Sequence, residues 1–98
     1  MNDINQMAVL YAKPGREAAL RENLAALVAP SRAENGNLRY ELYCDAGDAR
    51  RFIFIERWAS AEAQQQHHHH SQHIRHFHEN GDADVERREI FYVIEPIA

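Results

Sequence analysis

The chain predicts an α+β fold: one antiparallel sheet with two helices on one face, in the order β-α-β-β-α-β. Three observations carry this reading. Residues 38–44 and 51–58 both alternate with the period of two and are joined by Asp45-Ala46-Gly47-Asp48, which is the pattern of a hairpin. An apolar stripe of helical spacing stands on either side of that hairpin. Two further apolar strands, near the two ends of the chain, complete the order.

The first strand runs from Ile4 to Tyr11 and includes Met7, Val9 and Leu10, a composition suited to a strand covered on both faces. Lys13-Pro14-Gly15 ends it. Leu20, Leu24 and Leu27 then recur at i, i+4 and i+7, so residues ~15–29 form an amphipathic helix with a leucine stripe for the core. Pro30 interrupts that helix, and Glu34-Asn35-Gly36-Asn37 supplies turn chemistry before the second strand. In the second strand Leu38, Tyr40, Leu42 and Cys44 share a face. In the third, Phe52, Phe54, Glu56 and Trp58 share one face and Ile53 and Ile55 the other. Ser60 is a good N-cap for the second helix, which ends near His78 with Asn80-Gly81 as the left-handed or turn conformation that stops it. The last strand lies around Val85 to Ile94. This is the split βαβ, or ferredoxin-like, arrangement. Its uncovered sheet face predicts a homodimer formed sheet to sheet.

With 98 residues and 45% hydrophobic content, the chain reads as a single domain over residues 1–98. A net charge of -4 gives no footprint for nucleic acid, and no apolar run reaches the ~20 residues of a membrane span. The lone Cys44 fits a buried strand position in a reducing compartment. With no basic, apolar leader visible, a cytoplasmic location is expected.

All 7 histidines fall between His67 and His78. At 100° per residue, Ala63, His67, His70, Ile74 and Phe77 form the stripe that should face the sheet, with His73 at its border and His68, His69 and His76 toward solvent. Three readings remain for His67 and His70. They could be half-buried structural histidines satisfied by hydrogen bonds. They could bind metal as i, i+3 or i, i+4 pairs, although no Asp/Cys cluster offers further ligands. The preferred reading is a metal-free pocket between helix and sheet, walled by Tyr40, Phe54, Trp58 and Ile74, with His67, His70 or His73 as acid/base group. Glu56 would orient a histidine or satisfy a buried neighbour. Arg39, Arg50 and Arg51 read as solvated arginines before they read as anion ligands.

Ala8-Val9-Leu10-Tyr11-Ala12-Lys13-Pro14-Gly15-Arg16-Glu17 resembles the opening strand of the antibiotic biosynthesis monooxygenase domain. Gly36-Asn37-Leu38-Arg39-Tyr40-Glu41-Leu42 resembles its second strand, and Phe54-Ile55-Glu56-Arg57-Trp58 followed by Ala63 and His67 resembles its third strand and helix. The resemblance implies a ferredoxin-like dimeric α+β barrel, a homodimer, with a pocket in each protomer. It further implies monooxygenation of a quinol, polyphenol or polyketide-like aromatic substrate by O₂ with no metal or flavin, a histidine or tyrosine serving as base, with His67 carried over first and His73 second. Relatives that isomerise a phosphorylated sugar-like molecule, cleave haem or bind ligands without turnover are the alternatives. The family's second histidine, five residues after the first, would fall on Gln72, whereas this chain offers His73. Either His68 is the counterpart of the first histidine, or the helix carries an irregularity such as a π-bulge.

Overall fold

The computed structural model describes residues 3–98. In chain order the elements are β1 (Ile4–Ala12), α1 (Glu17–Ala25), α2 (Val28–Arg32), β2 (Asn37–Asp45), β3 (Asp48–Trp58), α3 (Ala61–His70), α4 (Gln72–Asn80), a 3₁₀ turn at Asp82–Asp84 and β4 (Val85–Ile94). The four strands lie in the order β2-β3-β1-β4, and every neighbouring pair is antiparallel. This is the predicted ferredoxin-like sheet with helices on one face. Each predicted helix, however, is two.

The first division follows α1. Pro30 does not end helical structure; it occupies the third position of α2, within the first turn, where no intrahelical N–H is lost. The second division is sharper. Ser71 adopts extended backbone, with φ -78° and ψ 132°, so α3 stops at His70 and α4 starts afresh at Gln72. The irregularity is a break between two helices, not a π-bulge within one.

The core forms where the helices meet the sheet. Leu20 and Leu24 of α1 are fully buried, as is Trp58 of β3, and around them gather Leu10, Leu27, Tyr40, Phe52, Phe54, Ile74 and Phe77. Leu38 is the exception to the predicted face. The register between β2 and β3 slips between Asn37 and Arg39, and the unpaired Leu38 stands 52% exposed, away from Tyr40 and Leu42. Two glycines hold the layers close. Gly36 has φ 85°, and a Cβ there would meet the Ala63 Cβ at 2.6 Å, so the start of α3 packs on bare backbone. Gly81 stops α4 as a turn, with φ -116°, and not in the left-handed conformation; a Cβ there would strike the Phe77 ring at 2.6 Å.

On the opposite face, Met7, Ile53 and Ile55 are half-buried, and Tyr43 and Tyr92 are exposed. Charged pairs border this apolar band: Arg51 with Asp45 and Glu89 at one end, Arg39 with Glu41 at the other. Among the described residues, no helix is long and apolar enough to cross a membrane.

A polar group is buried among the apolar ones on the helix face. Glu56 Oε1 accepts from Gln6 Nε2 at 2.9 Å and from Trp58 Nε1 at 3.0 Å. Burial pushes the Glu56 carboxyl above its ordinary range, and the hydrogen bonds from Trp58 and Gln6 and the attraction of His67 offset this only in part. An acid whose pKa is raised on folding holds its proton better in the native state, so stability declines as pH rises from the unfolded value through the folded one. A glutamine in place of Glu56 would accept both hydrogen bonds through its carbonyl oxygen, with no charge to bury. Glu56→Gln should therefore gain in thermal midpoint over the parent between pH 4 and pH 8, as measured by circular dichroism. A constant difference across that range would contradict the raised pKa.

Candidate functional site

The turn before β2 carries Glu34 against the junction of α3 and α4. Its Oε1 lies 2.6 Å from His67 Nδ1 and 2.8 Å from His73 Nε2, and its Oε2 accepts from Ser71 Oγ at 2.8 Å. One carboxylate thus ties both helices and the break between them to the turn. In an unbroken helix His67 and His73 would lie about 120° apart, since six residues advance 600°. The extended Ser71 brings both rings to one oxygen. Burial raises the Glu34 carboxyl pKa, but hydrogen bonds from His67 and Ser71 and the charges of His67 and His73 outweigh it, and the net shift is downward.

An ionised carboxylate only accepts, so both ring nitrogens facing Glu34 must carry hydrogen. That assigns the tautomer of His67. In the neutral imidazole, with the proton on Nδ1, Nε2 holds a lone pair. The ring is 4% exposed, packed 4.5 Å from the Trp58 ring and 5.4 Å from the Tyr40 ring, and it lines a cavity between sheet and helices. This inner chamber measures about 120 Å³ and is walled chiefly by Leu10, Leu24, Tyr40, Phe54, Ile74 and Phe77, with Gln6 and Glu56 as polar groups. It shares His68, His78, Arg88 and Phe91 with an outer groove of about 460 Å³ above β1 and β4. A chemically competent arrangement results: an oriented imidazole base at the end of an apolar, open-mouthed chamber. Burial, followed by the charge of Glu56, pushes the Tyr40 hydroxyl up, with hydrogen bonding to Ser31 acting the other way. Tyr40 therefore stays protonated near neutrality. Burial lowers the His68 pKa, reinforced by His69, His67, His78 and Arg88.

The residues singled out from the sequence divide accordingly. His67, Tyr40, Phe54 and Ile74 line the chamber. Trp58 is wholly buried behind His67 and forms no part of the wall. His70, expected to face the sheet, is exposed, because the helix ends there and the stripe does not continue in phase across Ser71. His73 turns away from the chamber to Glu34 and to Ser31 Oγ, at 3.1 Å. His68, expected toward solvent, borders the outer groove. Arg39, Arg50 and Arg51 are engaged by Glu41, by the Ala12 carbonyl with Glu86, and by Asp45 with Glu89. A larger cleft of about 850 Å³ opens on the other sheet face, but its Arg39 and Arg57 pair with its own Glu41 and Asp3 and it holds no histidine. Sequence reasoning missed Glu34, 33 residues from His67, because an acid in a turn carries no mark of its partner.

Comparison with known proteins agrees with this architecture. The family described as antibiotic biosynthesis monooxygenase matches residues 3–80. YcnE of Bacillus subtilis (strain 168), named for a monooxygenase, is 31% identical over 58 residues, a stretch that spans 59% of this chain and 61% of YcnE, less than two thirds of that protein. The crystal structure of PA3566 from Pseudomonas aeruginosa superposes with a TM-score of 0.92 at 33% identity, covering 100% of this chain and 97% of that one. Rv0793 from Mycobacterium tuberculosis superposes with a TM-score of 0.87 at 27% identity, covering 99% and 97%. The family match spans most of the chain and the solved relatives superpose over nearly all of it, so this protein belongs to the antibiotic biosynthesis monooxygenase family.

Proposed function

We propose that this protein is a cofactor-independent monooxygenase of electron-rich aromatic substrates, quinols, polyphenols or polyketide-like phenols, with His67 as the base. The observation that carries this reading is the Glu34–His67 pair, which leaves Nε2 basic at an apolar chamber. Nε2 takes the phenolic proton. The phenolate gives one electron to O₂, and the phenoxyl and superoxide so formed combine at a ring carbon. Breaking the O–O bond leaves one oxygen on the ring and releases the other as water. For a hydroquinone the balance is quinol plus O₂ to hydroxyquinone plus water, the substrate supplying all the electrons. Glu34 holds the tautomer and stabilises the imidazolium that forms. Tyr40, as donor, suits the developing charge on a substrate oxygen.

The outer groove fits the substrate class in size, since the inner chamber alone admits little more than one ring edge. A homodimer is part of the same reading. The apolar band of Met7, Ile53, Ile55, Tyr43 and Tyr92 is the kind of surface that a second copy covers. A cytoplasmic location accords with the single free Cys44.

Oxygen-electrode assays with a hydroquinone panel test the chemistry. His67→Ala should lower kcat at least about 100-fold, the usual contribution of a positioned base. Glu34→Gln should lower it by a smaller factor, because the base remains but its tautomer is no longer enforced. Unchanged oxygen uptake in His67→Ala would overturn the assignment; a tightly bound small molecule with no uptake in the parent would make the chain a binding module. For the assembly, light scattering should give a dimer mass, reduced to a monomer mass by Ile55→Asp. A monomeric parent at micromolar concentration would refute the sheet-face interface.

A further inference from the structure

We infer that Glu34, His67 and His73 form a binding site for one divalent transition-metal ion of the zinc class, and that its occupancy reverses the tautomer of His67. The sequence offered no such site, because pairs along one helix lacked a third ligand. The tertiary structure supplies it from the turn before β2. One ligand atom from each of the three residues lies within 4.8 Å of the others. Around a tetrahedral ion with bonds of 2.0–2.1 Å, ligand atoms stand about 3.3 Å apart. The two nitrogen–oxygen separations of 2.6 and 2.8 Å are short of that by roughly half an ångström, so small rotations of two imidazoles open the space.

The surroundings suit an ion. Ser71 Oγ holds the second Glu34 oxygen, as a neighbour that orients a ligand does, while Ser31 Oγ, 3.1 Å from His73 Nε2, must yield that nitrogen to the ion. The side chains of Glu34 and His73 remain 17% and 19% exposed, which leaves an approach from the side away from the chamber. Two neutral imidazoles and a carboxylate match zinc, and the open fourth position takes water. The exposed histidines of the same helices would bind metal only weakly: His78 meets Asp82 at 3.0 Å, but among the described residues no third ligand joins that pair.

The ion would meet His67 at Nδ1, the nitrogen now donating to Glu34. A neutral imidazole bound through Nδ1 must carry its proton on Nε2, so the chamber would face an N–H in place of a lone pair. Metal would then withdraw the base. Only this inhibitory consequence rests on the catalytic reading; the site and the tautomer change do not.

The test uses the full, tag-free chain and Zn²⁺ alone. Competition with a fluorescent chelator should give one tight equivalent, retained when His68, His69, His70, His76 and His78 are all replaced by Gln, and weakened tenfold or more by Glu34→Gln or His73→Gln. Nitrogen-15 NMR of the parent should show the His67 proton on Nδ1 without metal and on Nε2 with it. Loss of the tight equivalent in the five-histidine variant, or an Nδ1 proton that persists at saturating Zn²⁺, would overturn the inference. The NMR arm needs no substitution, so it decides even where a variant fails to fold. Absence of oxygen uptake would remove the catalytic reading and leave these two measurements untouched.

Discussion

The Glu34 carboxylate is the constraint on which the site depends. It is held by His67, His73 and Ser71, and each partner comes from a different part of the α3–α4 segment. Hydrogen bonds to a charged group contribute about 1.5–3 kcal/mol each when partly shielded from water, enough to offset an interrupted helix. Without them the extended Ser71 would leave helix-end groups unpartnered and the two short helices poorly anchored. The same contacts set the tautomer of His67, so the element that stabilises the break also determines the chemistry of the imidazole.

Around that centre the polar groups form two layers. The Glu34 layer lies between turn and helices and extends through His73 to the buried Ser31. The Glu56 layer lies in the sheet, with Gln6 and Trp58. His67 packs against Trp58, and it favours the ionised form of both carboxyls. One carboxyl is shifted down and the other up. The difference follows from charge and depth: at Glu34 the hydrogen bonds from His67 and Ser71 together with the charges of His67 and His73 outweigh burial, whereas Glu56 sits deeper among the apolar strands and burial prevails.

Much of the fold was legible because it rests on local periodicity. The hairpin, the leucine stripe and the face shared by Phe52, Phe54, Glu56 and Trp58 all follow from side-chain direction along a strand or helix. The structure departs from that periodicity where one residue changes the phase. Leu38 left its face because a bulge adds a residue to β2, and His70 left the sheet because Ser71 ends α3. Neither event has a strong local mark: Ser71 is neither Gly nor Pro, and its extended backbone is held by the whole α3–α4 junction.

The sequence alone determined the order of the strands and helical segments, most of the buried strand faces, the open apolar face and the inward position of His67, because these depend on spacing within a single element. Only the tertiary structure decided which histidines act together and what holds them. Glu34 and His67 are 33 residues apart and meet because Gly36 lets the turn lie against α3 while Ser71 turns α4 back toward it. A long-range contact of this kind depends on how two elements pack, and no period within either one encodes it.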